Sequence, residues 1–346
     1  MNDNNFYYDP VYETVESYEQ KKNKQRKFFS RIFLGLFIYL LCFNLLATVV
    51  FIIAQLTMSP ESYAALAENQ SAIVLISSAI QYGIALPIFL LITKNMQTSE
   101  KKKKKKLPFS EFIILITVAE LLMFIGSLIS TLLNNMIGTL INKVPENDLT
   151  GLVENTPIWL IFIIMVVIAP IVEEIVFRKV IIDRLSIYGD HIAIIFSAVA
   201  FGLMHGNLYQ LFYATMLGAL LGYIYTTTRN VKYTIALHAV VNFFGSVLVL
   251  LVTNVGEYMA IFTENARLIT LIEELLSTFY VNLQSGLIIA GAVALIYRYK
   301  NREIKVSRDA EIFIPTRDMI KGGVSNQGSI LFIVTSLIFM ILNLFS

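Results

Sequence analysis

Glu173, Glu174 and Arg178 stand at the end of a long apolar run (Ile158–Pro170), inside the stretch IVEEIVFRKV. Insertion scales put an ionisable side chain at the bilayer centre near ~3 kcal/mol, so such residues are functional candidates by default. On a helix Glu174 and Arg178 are four apart, share a face and can pair. Glu173 is turned about 100° from Glu174 and has no sequence-local partner. Its partner must come from another helix or from substrate. His205, in AFGLMHGN, and His238, in IALHAVVNFF, lie in two further apolar runs. Phe201 stands four residues before His205 and Asn242 four after His238, so each pair projects from one helix face. The third histidine, His191, sits beside Asp190 at a loop boundary and carries no signal.

Taken singly, each has a structural reading: a membrane histidine or asparagine as a helix–helix hydrogen bond, and Glu–Arg as a lock. Five such residues within about seventy positions point instead to one shared site. The chemistry open to the set is of three kinds. A carboxylate desolvated among apolar helices suits proton transfer. Donors fixed in a low-dielectric cavity stabilise a developing oxyanion better than donors in water. Two histidines and a glutamate could also form an open zinc site with water in the fourth position. The HExxH pattern of metalloproteases is absent. A metal is therefore left undecided.

These residues need apolar helices to carry them, and composition supplies them. The chain of 346 residues is 56% hydrophobic and only 15% charged, with a mean hydropathy of +0.67. That profile predicts an all-α, polytopic membrane helix bundle of about eight or nine spans. The net charge of +2 decides little, because the charges sit in loops. The first thirty residues are polar and basic, which predicts no cleavable signal. Cys42 is the one cysteine, which excludes an intrachain disulfide or a cysteine metal cluster. No loop is long enough for a soluble catalytic domain, so any chemistry belongs within the bilayer or at its edge.

Apolar runs fall at roughly 32–57, 72–93, 111–137, 157–184, 191–207, 208–227, 232–254, 278–298 and 328–345. The fifth is near the lower limit for crossing about 30 Å of hydrocarbon. Gly218 and Gly222 give the sixth a small-xxx-small spacing suited to close packing. Residues 1–31 read as a flexible cytoplasmic tail, and 255–277 as an amphipathic, partly acidic segment; whether 258–276 is an interfacial helix is left open. Basic clusters precede the odd-numbered runs and acidic loops lie between them. The positive-inside rule then predicts a multi-pass protein of the cell membrane with its N-terminus in the cytoplasm. The run Lys101–Lys106 reads as a topology determinant against anionic lipid. Nothing in the pattern points to a nucleic-acid partner. Four segments result: the tail 1–31, N-terminal membrane helices 32–137, a catalytic core 155–250, and 251–346 with the amphipathic segment and C-terminal spans. At 1.5 Å per residue, Glu173 lies ~16 Å from its basic end, His238 ~9 Å and His205 ~21 Å. Glu173 and His238 could therefore meet in the cytoplasmic half, while His205 is too high unless its helix is tilted, starts deeper or does not fully cross.

In order, Glu173-Glu174-Ile-Val-Phe-Arg178, Phe201-Gly-Leu-Met-His205 and His238-Ala-Val-Val-Asn242 spell EExxxR, FxxxH and HxxxN. The chain resembles the CAAX-protease and bacteriocin-processing (Abi) family of intramembrane proteases, itself similar to the Ras-converting prenyl-protein protease. Each motif alone is weak; the ordered triple is specific, and it covers roughly 157–250. The resemblance implies an intramembrane endopeptidase. In it Glu173 acts as general base on a water helped by His205, His238 and Asn242 stabilise the oxyanion, and Glu174 with Arg178 holds the site. Phe201 supports it. Descriptions of the family differ between metalloprotease and glutamate-dependent protease, and this reading favours metal-independent water activation. The Ile-, Asn- and Lys-rich composition suits a bacterium. The expected substrate is then a peptide pheromone, a bacteriocin leader or a membrane-protein tail rather than a prenylated protein. Two other readings compete: a non-enzymatic scaffold or immunity protein on the same fold, and an ion-coupled transporter, for which Glu120 in the third run is the best feature. The lack of an internal repeat counts against the latter.

Overall fold

A computed structural model describes residues 15–100, 103–143, 151 and 154–345. Residues 1–14 of the tail, Lys101 and Lys102 of the lysine run, and 144–150 and 152–153 of the loop before the fourth run lie outside them. The described residues build helices α1 (Val15–Thr57), α2 (Pro60–Glu68), α3 (Gln70–Thr93), α4 (Phe109–Ile141), α5 (Ile158–Tyr188), α6 (Asp190–Met204), α7 (Leu208–Thr228), α8 (Val231–Thr253), α9 (Val255–Ala260), α10 (Ala266–Lys300), α11 (Thr316–Val324) and α12 (Gln327–Phe345). Eight of them, all but α2, α6, α9 and α11, are long and apolar enough to cross a membrane. The protein is an all-α, polytopic bundle.

Two expectations are corrected, and the form of the amphipathic segment, left open above, is given. The fifth apolar run forms α6, which has 15 residues. That is about 21 Å of helix, short of the ~30 Å of hydrocarbon, so α6 does not cross on its own. Residues 15–31 are helical rather than a flexible tail, because this part of α1 packs on α11. Tyr18 Oη donates to Asp318 Oδ2 at 2.6 Å and Gln25 Nε2 to the Met319 carbonyl at 3.0 Å. The amphipathic segment does not form a separate interfacial helix. It divides into the short α9 and the first turns of α10, which runs unbroken for 35 residues. No proline or glycine stands at the junction near 278 to break it.

Loop hydrogen bonds gather the basic connections at one end of the bundle. The Ser99 amide donates to the Asp183 carbonyl (2.8 Å), Lys105 to Thr228 (2.9 Å) and His191 to Ser307 (3.3 Å). Arg31 and Arg184 cap the end of α3 through the Ile92 and Thr93 carbonyls. At the other end Lys143 Nζ reaches the Phe345 carbonyl and Asn343 reaches Gly206. The alternation of loop charge along the sequence is thus a separation between the two ends in space.

Close seams join the helices where side chains are smallest. A Cβ on Gly218 of α7 would stand 3.1 Å from the Ala198 Cα of α6, and one on Gly222 3.3 Å from Ile194. A Cβ on Gly328 of α12 would run into the Ser30 carbonyl of α1. Around this last seam Phe29, Ile32, Leu36, Phe196 and Phe332 are buried together. Gly328→Val should therefore lower the detergent melting temperature by an amount equivalent to about 1–3 kcal/mol of overpacking. Gly286→Ala, on α10 with open space around the position, should not lower it. Equal effects in a thermal melt would show that the α1–α12 seam is not tight.

Candidate active site

α5 is not wound uniformly. Its segments Phe162–Ile168 and Ile175–Ile182 are π-helical, as is Phe243–Val247 in α8 and Gln81–Ala85 in α3. Such turns leave backbone groups out of the regular ladder and gather at functional sites. Here the Met165 carbonyl, within the first π segment, accepts a hydrogen bond from Asn242 Nδ2 at 2.8 Å. This bond ties the α8 residue to α5. Ser246 Oγ donates in turn to the Asn242 carbonyl.

Glu174 and Arg178 do pair, and both are fully buried. Arg178 Nε donates to Glu174 Oε2 at 2.9 Å and Nη2 to Oε1 at 3.3 Å. Arg178 Nη1 donates to Ser197 Oγ at 3.1 Å, and that hydroxyl donates to the Phe177 carbonyl. The guanidinium lies 5.3 Å from the centre of the Phe201 ring. A charge removed from water needs such saturation, since desolvation otherwise exceeds the Coulombic gain. Glu174 Oε1 also takes a hydrogen bond from His238 Nδ1 at 3.2 Å, and Thr234 lies beside the same carboxylate, its hydroxyl donating to the Val231 carbonyl.

These contacts fix the histidines. A carboxylate accepts only, so His238 Nδ1 carries the proton and Nε2 is presented to the far side. There Nε2 stands 3.7 Å from Glu173 Oε2. That gap is too long for a direct hydrogen bond and leaves both atoms free to contact one water lying beside them. His205 Nδ1 lies 2.8 Å from the Phe201 carbonyl, which again only accepts. Nδ1 is therefore the donor and Nε2 is left for the site. Phe201 sits between the histidines, edge-on to both, with ring centres 5.1 Å from His205 and 5.7 Å from His238.

His205 ends α6 at a turn that sequence makes tight. Gly206 has φ +58, a conformation only glycine adopts without strain. The Asn207 side chain then caps α7 by accepting from the Tyr209 amide. The hairpin is closed at its other end by the buried pair of Arg229 and Asp190.

Glu173, His205, His238 and Asn242 all line one cavity of about 460 Å³, together with Phe201. Its other walls include Met123 and Ser127 of α4, Tyr213 and Leu217 of α7, and Glu154 and Thr253 toward the acidic-loop end. The Glu173 side chain is 22% exposed, so it is the accessible carboxylate of the pair. The nearest ionisable partner of Glu173 that the geometry gives is His238 rather than His205. Glu120 lies outside the cavity, buried, with Oε1 lacking a hydrogen-bond partner.

Sequence reasoning missed Ser197, Thr234 and Ser246. All three were legible as polar residues four positions from a motif residue: Ser197 before Phe201, Thr234 before His238, and Ser246 after Asn242. The Met165 carbonyl left no sequence signal.

Fold and cavity define a membrane helix bundle with a partly polar chamber inside it, built by α4 to α8. Residues 155–244 match the family model described as Rce1-like, Type II CAAX prenyl endopeptidase Rce1-like. The match spans about a quarter of the chain and holds every residue of the three motifs. The chain thus carries a domain of the CAAX-protease family, as the motifs led one to expect. No curated protein and no solved structure matches it.

Proposed function

We propose that the protein is an intramembrane endopeptidase that hydrolyses a peptide bond of a membrane-associated peptide or protein. The observation that carries this reading is the convergence of Glu173, His205, His238 and Asn242 on one cavity. The family match supports the same class of activity. In this reading Glu173 takes a proton from a water, aided by Nε2 of His205, and the water oxygen bonds to the scissile carbonyl carbon. The oxyanion that forms is met by the Asn242 amide, whose second hydrogen is not needed by Met165, and by His238 with a proton on both ring nitrogens, Nδ1–H staying on Glu174 and Nε2–H turned to the oxyanion. Glu174 holds His238 in the orientation and protonation that this requires. The C–N bond then breaks, and the proton on Glu173 passes to the leaving amine.

The extent of the cavity supports access from the acidic-loop end or laterally, since Glu154 and Thr253 stand at one limit and His238 at the other. The gathering of basic loops at the opposite end supports a cytoplasmic N-terminus. The test is a purified, liposome-reconstituted protein incubated with quenched fluorescent peptides, both hydrophobic membrane-tail peptides and prenylated ones ending in a CAAX sequence. Cleavage, with the products identified by mass spectrometry, is the expected result. Intact peptides in both sets would count against the reading.

Among the described residues no three His, Cys, Asp or Glu side chains are disposed to hold a metal ion. No step is therefore routed through one. Activity should survive a strong zinc chelator. Loss of cleavage on chelation, restored by added zinc, would replace the carboxylate mechanism with a metal-bound water.

A further inference from the structure

Glu173 has a second face. With Phe201 and His205 it also lines a smaller cavity of about 250 Å³ on the opposite side from the larger one. Neither His238 nor Asn242 reaches it, so a peptide placed there would find no oxyanion donors. Its outer wall is built by helices beyond the matched segment: Tyr39 and Asn44 of α1, Gln81 of α3, and Asn343 of α12. Tyr39 and Gln81 lie beside each other on that wall. Asn343 donates to the Gly206 carbonyl, beside His205. Four polar side chains from three membrane helices, all facing one space, are costly there unless that space is wet. Gln81 opens the π-helical segment of α3, where the backbone is least regular.

Hydrolysis consumes one water for each bond cut. A peptide filling the larger cavity closes that route to Glu173, while the smaller cavity still reaches it. We propose that the smaller cavity is a water vestibule, supplying the nucleophilic water to Glu173 from behind the bound peptide. At about 30 Å³ per liquid water the space takes roughly eight molecules, and each needs two to four polar partners. The lining side chains, Glu173, His205 and the neighbouring waters together provide them. The rest of the lining is apolar and includes Leu40, Phe43 and Phe339. A greasy occupant, such as an acyl chain, is therefore the competing outcome. The assignment of a water-supplying role rests on the peptidase reading; the claim that the cavity is wet does not.

Cys42 is the sole cysteine, so Cys42→Ser gives a background for single-cysteine labelling of the full chain in liposomes. Gln81→Cys and Asn44→Cys should each react with a small, charged, membrane-impermeant methanethiosulfonate. They should do so at least about tenfold faster than Leu45→Cys, because the thiolate forms only where water reaches it. Leu45 is 57% exposed on the outer face of α1. Reaction only with a lipid-soluble maleimide, at all three positions alike, would show the cavity to be dry and overturn the proposal. This readout needs no peptidase activity, so it stands even if no peptide is cleaved. In an active preparation Gln81→Leu and Asn44→Leu should lower kcat about tenfold with KM for the peptide unchanged. A raised KM at unaltered kcat would mean that the cavity binds substrate instead. A Leu variant that fails to fold leaves the labelling result to decide.

Discussion

Glu173→Gln is expected to lower kcat by about 10²- to 10⁴-fold, the usual contribution of a positioned general base. The melting temperature should stay where it is. Gln has nearly the shape of Glu, and Glu173 is the partly exposed member of the pair, with no salt bridge to an arginine or lysine among the described residues. The two effects must be read together. Lost activity with an unchanged melt assigns chemistry to the carboxylate. A variant that keeps more than about a tenth of its activity would remove Glu173 from the base role and leave His205 as the remaining candidate. Cleavage should be followed under saturating peptide, so that a change in binding does not pass for a change in rate.

Arg178→Met has the second large effect, and it falls on stability. Glu174 would be left as a buried carboxylate with only His238 and Thr234 beside it. Breaking a buried ion pair from one side typically costs about 3–5 kcal/mol, since the stranded charge keeps its desolvation penalty. Glu174→Gln strands Arg178 in the same way. The double variant Glu174→Leu/Arg178→Met removes both charges and should recover much of the loss, so the double-mutant cycle should show strong coupling. Its activity should not recover with its fold. His238 Nδ1 would have lost the acceptor that fixes its orientation. An Arg178→Met protein as stable as the parent would mean that Glu174 is protonated or hydrated in the fold, and that the pair is not the lock described.

How much of this was written in the sequence follows from the range of the forces involved. The EExxxR pair was legible because it is local: four residues on one helix bring carboxylate and guanidinium together whatever the tertiary structure. The membrane class was legible because it is a sum over long apolar runs. The apparent excess height of His205 was legible too, though not its resolution, which depends on α6 being too short to cross. The bond of Asn242 to the Met165 carbonyl was not legible. A backbone group has no residue-type signal, and its availability depends on a π segment that no residue here announces. The approach of His238 to Glu173 was legible in their depths along the two helices; its bond to Glu174 was not, since that contact joins helices more than sixty positions apart. The N-terminal helix was misread as a tail for a similar reason. Its first turns are polar and basic, and only α11, some 300 residues away, gives them something to pack on.

The wide turns in α5 and α8 give the chamber a reading frame in three dimensions. Each holds more residues per turn than an α-helix, so it changes which side chain faces inward further along. Removing one residue from the α-helical turn Ile158–Ile161 would turn everything beyond by about 100°, the angular step of one residue. Glu174 would then occupy the bearing that Glu173 now has, and Arg178 would swing away from Ser197. The same deletion within Phe162–Ile168 would instead let that turn close as ordinary helix and keep the bearings beyond it, but the Met165 carbonyl that Asn242 uses would return to the regular ladder. A deletion of the same size in the exposed connection 301–313 would move nothing in the chamber. Among related chains, length differences should therefore collect in such connections, while the count of residues from Ile158 to Arg178 stays fixed even where their identities drift.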